Sequence, residues 1–458
     1  MRTSKFLAAM TAVLTVVSGT PAFAQSAAEI DLLKAQLAEL QQRLALLEEK
    51  QKAQEQVAAT SAKTATDAQA TADRTADVLA QTRASLSFSG DARYRHETLD
   101  VEYVDSDRTR QRIRARVGMD FRVNDTVKGT IRLATGVDDP RSANATLTGS
   151  NSRKDFGLDQ AYLEWSPAAD WKLTAGKMKY VWSRTPSMFF DNDVNPEGLA
   201  VNFSRGNFFA SSTYYWLTER ALSISNPTSG ISADSILLAG QVGWRGDVAD
   251  GYGLTVSATY LDFGAVEGYN PFYAGNAFGN TTTSSAAVCR KTISNCLLSD
   301  FNVVLLSGEL ATTVAGRPLR AFADLAQNVA AETNPVANKK LDSAYALGFT
   351  YGKASAARSW EFGALYQDVQ KDALFGQFID SNFGDGNTDA DGFVFSGAYA
   401  PSRNWTISGR FFLNSLNNDV PTSVTLLTPT ATNPTATAAR SVSERDYKRL
   451  QVDLNFKF

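Results

Sequence analysis

Histidine and cysteine are almost missing from this chain, with 1 His and 2 Cys among 458 residues. That scarcity nearly excludes zinc sites built from several Cys and His. It leaves a Ser-His-acid hydrolase only His96, and no serine stands at a spacing that would partner it. No enzyme, metal or cofactor is expected. Long hydrophobic runs are equally scarce. Beyond the first residues no segment approaches about 18 uninterrupted apolar positions, the signature of a spanning helix. A mean hydropathy of -0.22 is also too polar for a bundle of such helices. Neither sign of charge dominates: 45 Lys and Arg face 48 Asp and Glu, a formal net charge of -3. No bulk basic field therefore points to nucleic acid.

What is present is ordered along the chain. Residues 1–24 read as a secretory signal peptide. Arg2 and Lys5 precede the apolar run Phe6–Val17, and Pro21-Ala22-Phe23-Ala24 offers small residues for cleavage after Ala24. Residues 25–82 follow as a coiled coil and stalk. Ile30, Leu33, Leu37, Leu40, Leu44 and Leu47 are spaced alternately by 3 and 4, with Ile30, Leu37 and Leu44 at a and the rest at d. Arg43 with Glu48, and Lys50 with Glu55, take g and following e positions that attract in a parallel homo-oligomer. Past Leu47 the seam turns polar or small, and the Ala/Thr-rich stretch from Ala58 to Thr82 reads as a thin stalk or linker.

From about residue 83 the period changes to 2. Ile113, Ala115, Val117, Met119, Phe121 and Val123 alternate with Arg112, Arg114, Arg116, Gly118, Asp120 and Arg122. Such alternation is a strand with one dry and one wet face. It recurs in Leu86–Arg95, Trp171–Ala175, Ile236–Arg245, Ala344–Tyr351, Trp405–Leu413 and Leu450–Phe458. Tight turns near 123–126, 166–170, 205–207, 246–251, 315–318, 353–359 and 400–404 alternate with long polar stretches. Seven turns and eight long loops make about sixteen antiparallel strands, and near 10 residues is the length that crosses a bilayer at a tilt. The fold class is all-β, a transmembrane antiparallel barrel over 83–458 preceded by an α-helical coiled coil. Aromatics near strand ends, such as Tyr94, Trp165, Trp171, Trp244 and Trp405, suit the two lipid boundaries.

Leu173–Tyr180, Asn192–Phe203, Phe322–Asn328, Ala344–Gly352, Trp360–Gly384 and the closing Leu450–Phe458, taken in order, resemble a Gram-negative outer-membrane porin. More narrowly, the layout is similar to the "putative porin" family that carries a signal peptide, a short coiled coil and then a barrel. The resemblance implies passive diffusion of small solutes and ions, an outer-membrane lipid setting with the coil in the periplasm, and a homotrimer.

Three groups are candidate sites. Arg93, Arg95, Arg112, Arg114, Arg116, Arg122, Lys128 and Arg132 lie on wet faces of the first three strands, and closure brings Arg410 and Lys457 beside them. Such a basic arc favours anions in a pore, or it pairs with carboxylates as wall support. The third long connection, from Tyr180 to Pro196, carries Asp191 and Asp193, with Glu197 just after. By resemblance it folds into the channel and opposes the arc. Cys289 and Cys296, in an exported chain, are expected to form a disulfide. The run Asp385, Asn387, Asp389 and Asp391 has neither the Gly nor the Glu of a calcium loop, and reads as a solvated acidic loop. The leading expectation is a diffusion porin that mildly prefers anions. The alternatives are a specific channel for phosphate or an organic acid, and a tether whose stalk grips peptidoglycan.

Overall fold

The computed structural model describes residues 27–104, 106–136, 139–220, 234–273, 275–290, 293, 295–427 and 437–458. The expected signal segment lies outside them. The chain divides into two units, Met1–Thr82 and Arg83–Phe458.

In the first unit one helix, α1, covers Ala27–Ser85. The sequence dictates this: Ala, Leu, Gln, Glu and Lys dominate, and the 59 residues contain no Gly or Pro. Thr60, Thr64, Thr66, Thr71 and Thr75 return their hydroxyls to the carbonyl four residues back at 2.8–2.9 Å, which lets threonine sit inside a helix. The Ala/Thr-rich stretch is thus helical and continuous with the heptads. The six seam residues are 41–64% exposed. They form an apolar stripe with no packing partner among the described residues.

The second unit is a closed barrel of sixteen antiparallel strands. The first eight are β1 Leu86–Val101, β2 Arg108–Arg122, β3 Val127–Thr135, β4 Phe156–Ala168, β5 Trp171–Lys177, β6 Glu197–Arg205, β7 Phe208–Thr218 and β8 Ser235–Ala249. The rest are β9 Tyr252–Gly264, β10 Phe301–Val314, β11 Arg317–Asn328, β12 Ser343–Gly352, β13 Ser359–Val369, β14 Ala390–Ser402, β15 Trp405–Leu416 and β16 Arg445–Lys457. Closure is by β1 against β16, from Asp91 opposite Lys457 to Val101 opposite Tyr447. One rim carries the seven tight turns. At 315–316 both residues take positive φ (Ala315 50°, Gly316 72°), the backbone twist that a two-residue hairpin needs. The other rim carries loops L1 102–107, L2 136–155, L3 178–196, L4 219–234, L5 265–300, L6 329–342, L7 370–389 and L8 417–444.

Alternation puts Phe88, Val117, Leu163, Val242, Leu306, Leu325 and Leu347 on the outside, all exposed. A continuous apolar exterior of this size suits lipid and not water. Trp171 packs on Phe203 at 4.9 Å and Trp405 stacks on Phe456 at 5.8 Å near the turn rim. Among the described residues no helix is long and apolar enough to cross a membrane. The buried core lies inside the barrel, where inward residues such as Leu237, Leu261, Phe301 and Val303 meet side chains of L3 and L7.

Candidate pore lining and constriction

Strand register decides what the basic arc does. Inward positions of β16, β1 and β2 lie side by side, so Arg95 stands between Asp453 and Arg112, and Asp91 stands opposite Arg116. Four of the eight arc arginines, Arg95, Arg114, Arg116 and Arg132, find a close carboxylate. Arg95 makes a two-pronged pair with Asp453 at 2.7 and 2.8 Å. Arg114 and Arg116 share Asp91 at 2.8 and 2.7 Å. Arg132 of β3 holds Asp159 at 2.6 Å. Glu97, fully buried, accepts from Arg110 and Arg449 and from Gln451 at 2.7 Å. Half-buried guanidinium groups require this, since an unpaired buried charge is expensive. Arg93 and Arg112 are the exceptions. Arg93 comes no nearer than 3.9 Å to Asp453. Arg112 has only Ser142 Oγ at 3.2 Å and the Asn144 carbonyl at 3.3 Å. Arg122, Lys128, Arg410 and Lys457 are exposed: Arg122 faces Lys128 at the turn rim, Lys457 lies opposite Asp91, and Arg410 opposite Gln451.

L3 crosses the interior. From β5 it reaches β8, where Gln241 accepts from the Ser183 amide at 2.7 Å and donates to its carbonyl at 2.9 Å. It meets β11 through Thr185 and Asp324, and β13 through the Met188 amide and Gln367 at 3.1 Å. Tyr180, Trp182, Met188, Phe189 and Phe190 are buried on the way. The three acidic candidates separate. Asp193 lies on the arc, 3.7 Å from Arg114 and 3.6 Å from Arg116, so it does not oppose the arc across water. Asp191 is buried at the junction with L7, accepting from the Ser381 amide at 2.8 Å. Burial, with Asp380 and Asp193 beside it, pushes its carboxyl well above the usual carboxylate range. Glu197 begins β6, exposed and paired with Lys177 at 2.9 Å.

L7 is the feature the polar reading of that stretch does not anticipate. Its Leu374, Phe375, Ile379 and Phe383 are buried inside the barrel. Five large apolar side chains between 374 and 383, Phe378 included, are the signal that this loop has a core to join. L5 holds it through Asn280, which donates to the carbonyls of Lys371 and Leu374 at 2.8 and 2.9 Å and accepts from the Gly376 amide at 2.7 Å. Position 376 must be glycine, because a Cβ would stand 2.6 Å from the carbonyl oxygens of Ala277 and Phe278. L2 holds it through buried Arg141, which donates to the Gly386 carbonyl at 2.8 Å and stacks 3.5 Å over Phe278. Strand β16 holds it through Gln451, 2.9 Å from Asn382 Oδ1. Asp389, the last residue of L7, is buried and paired with Lys371 at 3.5 Å, so it is not a solvated loop position. Cys289 and Cys296 are disulfide-bonded in L5, with Cα atoms 5.5 Å apart.

Two loops thus fill one side of the lumen with an apolar core, and their polar edges face the arginine wall. Beside L3 a cavity of about 460 Å³ on the turn side is lined by Lys179, Tyr180, Glu164 and Lys172. On the loop side a cavity of about 470 Å³ is lined by Asp139, Asp159, Asp193 and Lys177.

A family described as "Putative porin" matches residues 68–294 and 276–428. No curated protein matches the chain. Among solved structures the chain is similar to Pseudomonas putida OprB in its high-pH structure, with 14% identity, 82% of this chain and 94% of that one covered, and a TM-score of 0.50. It is also similar to the trimer form of Vibrio cholerae OmpT, at 13% identity, 82% and 100% coverage and a TM-score of 0.43. Salmonella typhi OmpF in complex with daunomycin follows at 11% identity, 81% and 97% coverage and a TM-score of 0.46. The likeness to OprB is one of fold.

Proposed function

The chain belongs to this porin family, and from that premise we propose that it sits in the outer membrane as a channel for small hydrophilic solutes and mildly prefers anions. One observation carries the preference. On the wall that faces L3, Arg93, Arg95, Arg110, Arg112, Arg114, Arg116 and Arg449 are compensated by only Asp91, Glu97, Asp193 and Asp453 as close ion-pair partners among the described residues. Fixed surplus charge in a narrow, low-dielectric passage concentrates counter-ions and repels co-ions. The test is the reversal potential of the purified protein in a planar bilayer across a KCl gradient. Chloride should be favoured near 0.1 M, where the Debye length is about 10 Å, and the preference should fade near 1 M, where it is about 3 Å. An equal permeability at low salt would remove the anion preference and leave the porin.

The exposed seam of α1 supports a second element of this reading. The segment 25–82 stands in the periplasm, after cleavage of 1–24, as a parallel coiled coil that joins three barrels. A helix of 59 residues is about 88 Å long, long enough to reach toward peptidoglycan.

A further inference from the structure

We propose that Arg93, Arg112 and Asn144 form a discrete binding station for a small oxyanion, a carboxylate or a phosphate, on the basic wall of the channel. This rests on the anion-preferring reading and narrows it to a ligand class and a place.

The surplus charge of the wall is not spread evenly. Asp453 is committed to Arg95 by two short hydrogen bonds, so Arg93, at 3.9 Å from the same carboxylate, shares that counter-charge with Arg95 and has no hydrogen bond to it. Arg112 has no carboxylate within 4.0 Å among the described residues, and Glu97, the nearest in register, is already held by Arg110 and Arg449. Both guanidinium groups are largely withdrawn from water. On neighbouring strands, therefore, Arg93 shares its one carboxylate with Arg95, and Arg112 has none within 4.0 Å among the described residues.

Their hydrogen bonds indicate what would complete them. Each has the edge formed by Nε–H and Nη2–H, the fork that donates to two oxygens of a planar or tetrahedral anion. On each, Nη2 donates to an oxygen of one residue, Asn144. Arg93 Nη2 donates to Asn144 Oδ1, and Arg112 Nη2 donates to the Asn144 carbonyl at 3.3 Å. On each, Nε is buried and has no acceptor among the described residues. One neutral amide residue thus fills half of two forks. It satisfies hydrogen-bonding capacity without supplying charge. Asn144 is carried by L2 and steadied by its own Nδ2 on Ser142 Oγ at 3.2 Å and by the neighbouring Ala143 amide on Asp193 at 3.2 Å. An oxyanion that shifts Asn144 aside can reach Nε and Nη2 of both arginines at once. Chloride is one spherical acceptor and cannot span two forks the way the separate oxygens of one oxyanion can. The station therefore holds oxyanions more tightly than chloride and saturates with them.

The experiment uses the full chain in a planar bilayer carrying chloride current, with sodium phosphate or sodium succinate added at pH 7. Either probe should reduce the chloride current with a saturating dependence, and both doing so identifies the shared two-oxygen chemistry. Saturation by phosphate alone or by succinate alone also supports the station and assigns its source. Asn144→Asp, which builds a carboxylate into the forks, should abolish saturation. Arg112→Gln should raise the half-inhibition concentration at least about tenfold, as expected for losing a charge-assisted fork. Retained heat-modifiable gel migration shows that either variant has folded. A linear, unsaturated response in an anion-selective wild type overturns the station and leaves the anion reading standing. Loss of anion selectivity in the wild type overturns that reading. Saturation at the wild-type concentration in both variants overturns this assignment of residues.

Discussion

Asp193 stands 3.6 Å from Arg116, so the carboxylate that L3 carries into the barrel lies on the arginine wall itself. An acid held across water would polarise the passage transversely. An acid seated on the wall reduces the surplus of that wall, and it also ties L3 to β2.

Asp193→Asn should therefore raise the chloride-to-potassium permeability ratio. Arg114 and Arg116 keep Asp91, so the barrel should remain folded. The increase should be clear near 0.1 M salt and nearly gone near 1 M, following the Debye length from about 10 to about 3 Å. Reversal potentials of the two proteins, taken side by side, check it. An unchanged ratio would mean that Asp193 acts only as an anchor.

Glu97 is the opposite kind of residue. It is fully buried and serves Arg110, Arg449 and Gln451 together. Glu97→Gln keeps the shape and removes the charge, leaving Arg449 buried without its counter-ion. Breaking a buried pair in this way costs about 3–5 kcal/mol. Urea unfolding of the barrel in detergent or lipid should show a lower midpoint. Glu97→Gln with Arg449→Gln should recover part of the loss.

The strands were legible because a closed barrel imposes one simple rule, alternation, on every strand, and Arg112–Val123 obeys it without interruption. The turn positions followed from the breaks between such runs. The pairing of the arginines was less legible, since Asp453 and Arg95, or Arg449 and Glu97, meet only through the register of closure. Arg110 and Arg449 occupy inward positions on the same strands and could have been included by parity alone. L7 was hidden for a different reason. A loop that packs inside a barrel has no period, so Phe375, Phe378 and Phe383 announce burial by composition and not by spacing.

The Cys289–Cys296 bridge closes a short segment of L5. In the chain-entropy picture so small a loop contributes about 2–3 kcal/mol at most, and locally. Cys289→Ser with Cys296→Ser should leave heat-modifiable migration and sheet content unchanged. Hydrogen exchange should quicken within 282–298 and not in the barrel strands. Loss of the folded barrel would show that L5 organises more of the interior than this.

Asp191 gives the L3–L7 junction a pH dependence whose sign follows from burial. Its carboxyl is held well above the usual range, chiefly by burial and then by Asp380 and Asp193. Burial also raises Asp372 and Asp389 of L7. The folded state therefore keeps protons that the unfolded chain, near 3.9 for Asp, has released. The contribution is complete below the unfolded value and is lost as pH rises through the folded one. Thermal unfolding followed from about pH 4 to pH 8 should show stability falling with pH. Asp191→Asn should flatten part of that slope, leaving the share of the two buried L7 carboxyls. A slope that is identical in the variant would place the dependence elsewhere.

Six seam residues, Ile30 to Leu47, lie exposed on a helix that has no partner among the described residues. Burying a leucine is worth about 1.5–3 kcal/mol, so three chains joined along this seam gain enough to hold one another at low concentration. Replacing Leu33, Leu40 and Leu47 by Gln keeps helix propensity nearly level and removes the d positions. The full-length wild type in detergent should sediment as a trimer, and the variant should shift toward smaller species on dilution. Circular dichroism should show the helical signal retained or modestly reduced. Single-channel records should change from three coupled conductance steps to isolated ones, because each barrel keeps its own wall and loops. If the variant stays trimeric at the same dilution, barrel contacts alone hold the assembly, and the exposed seam has another partner to find.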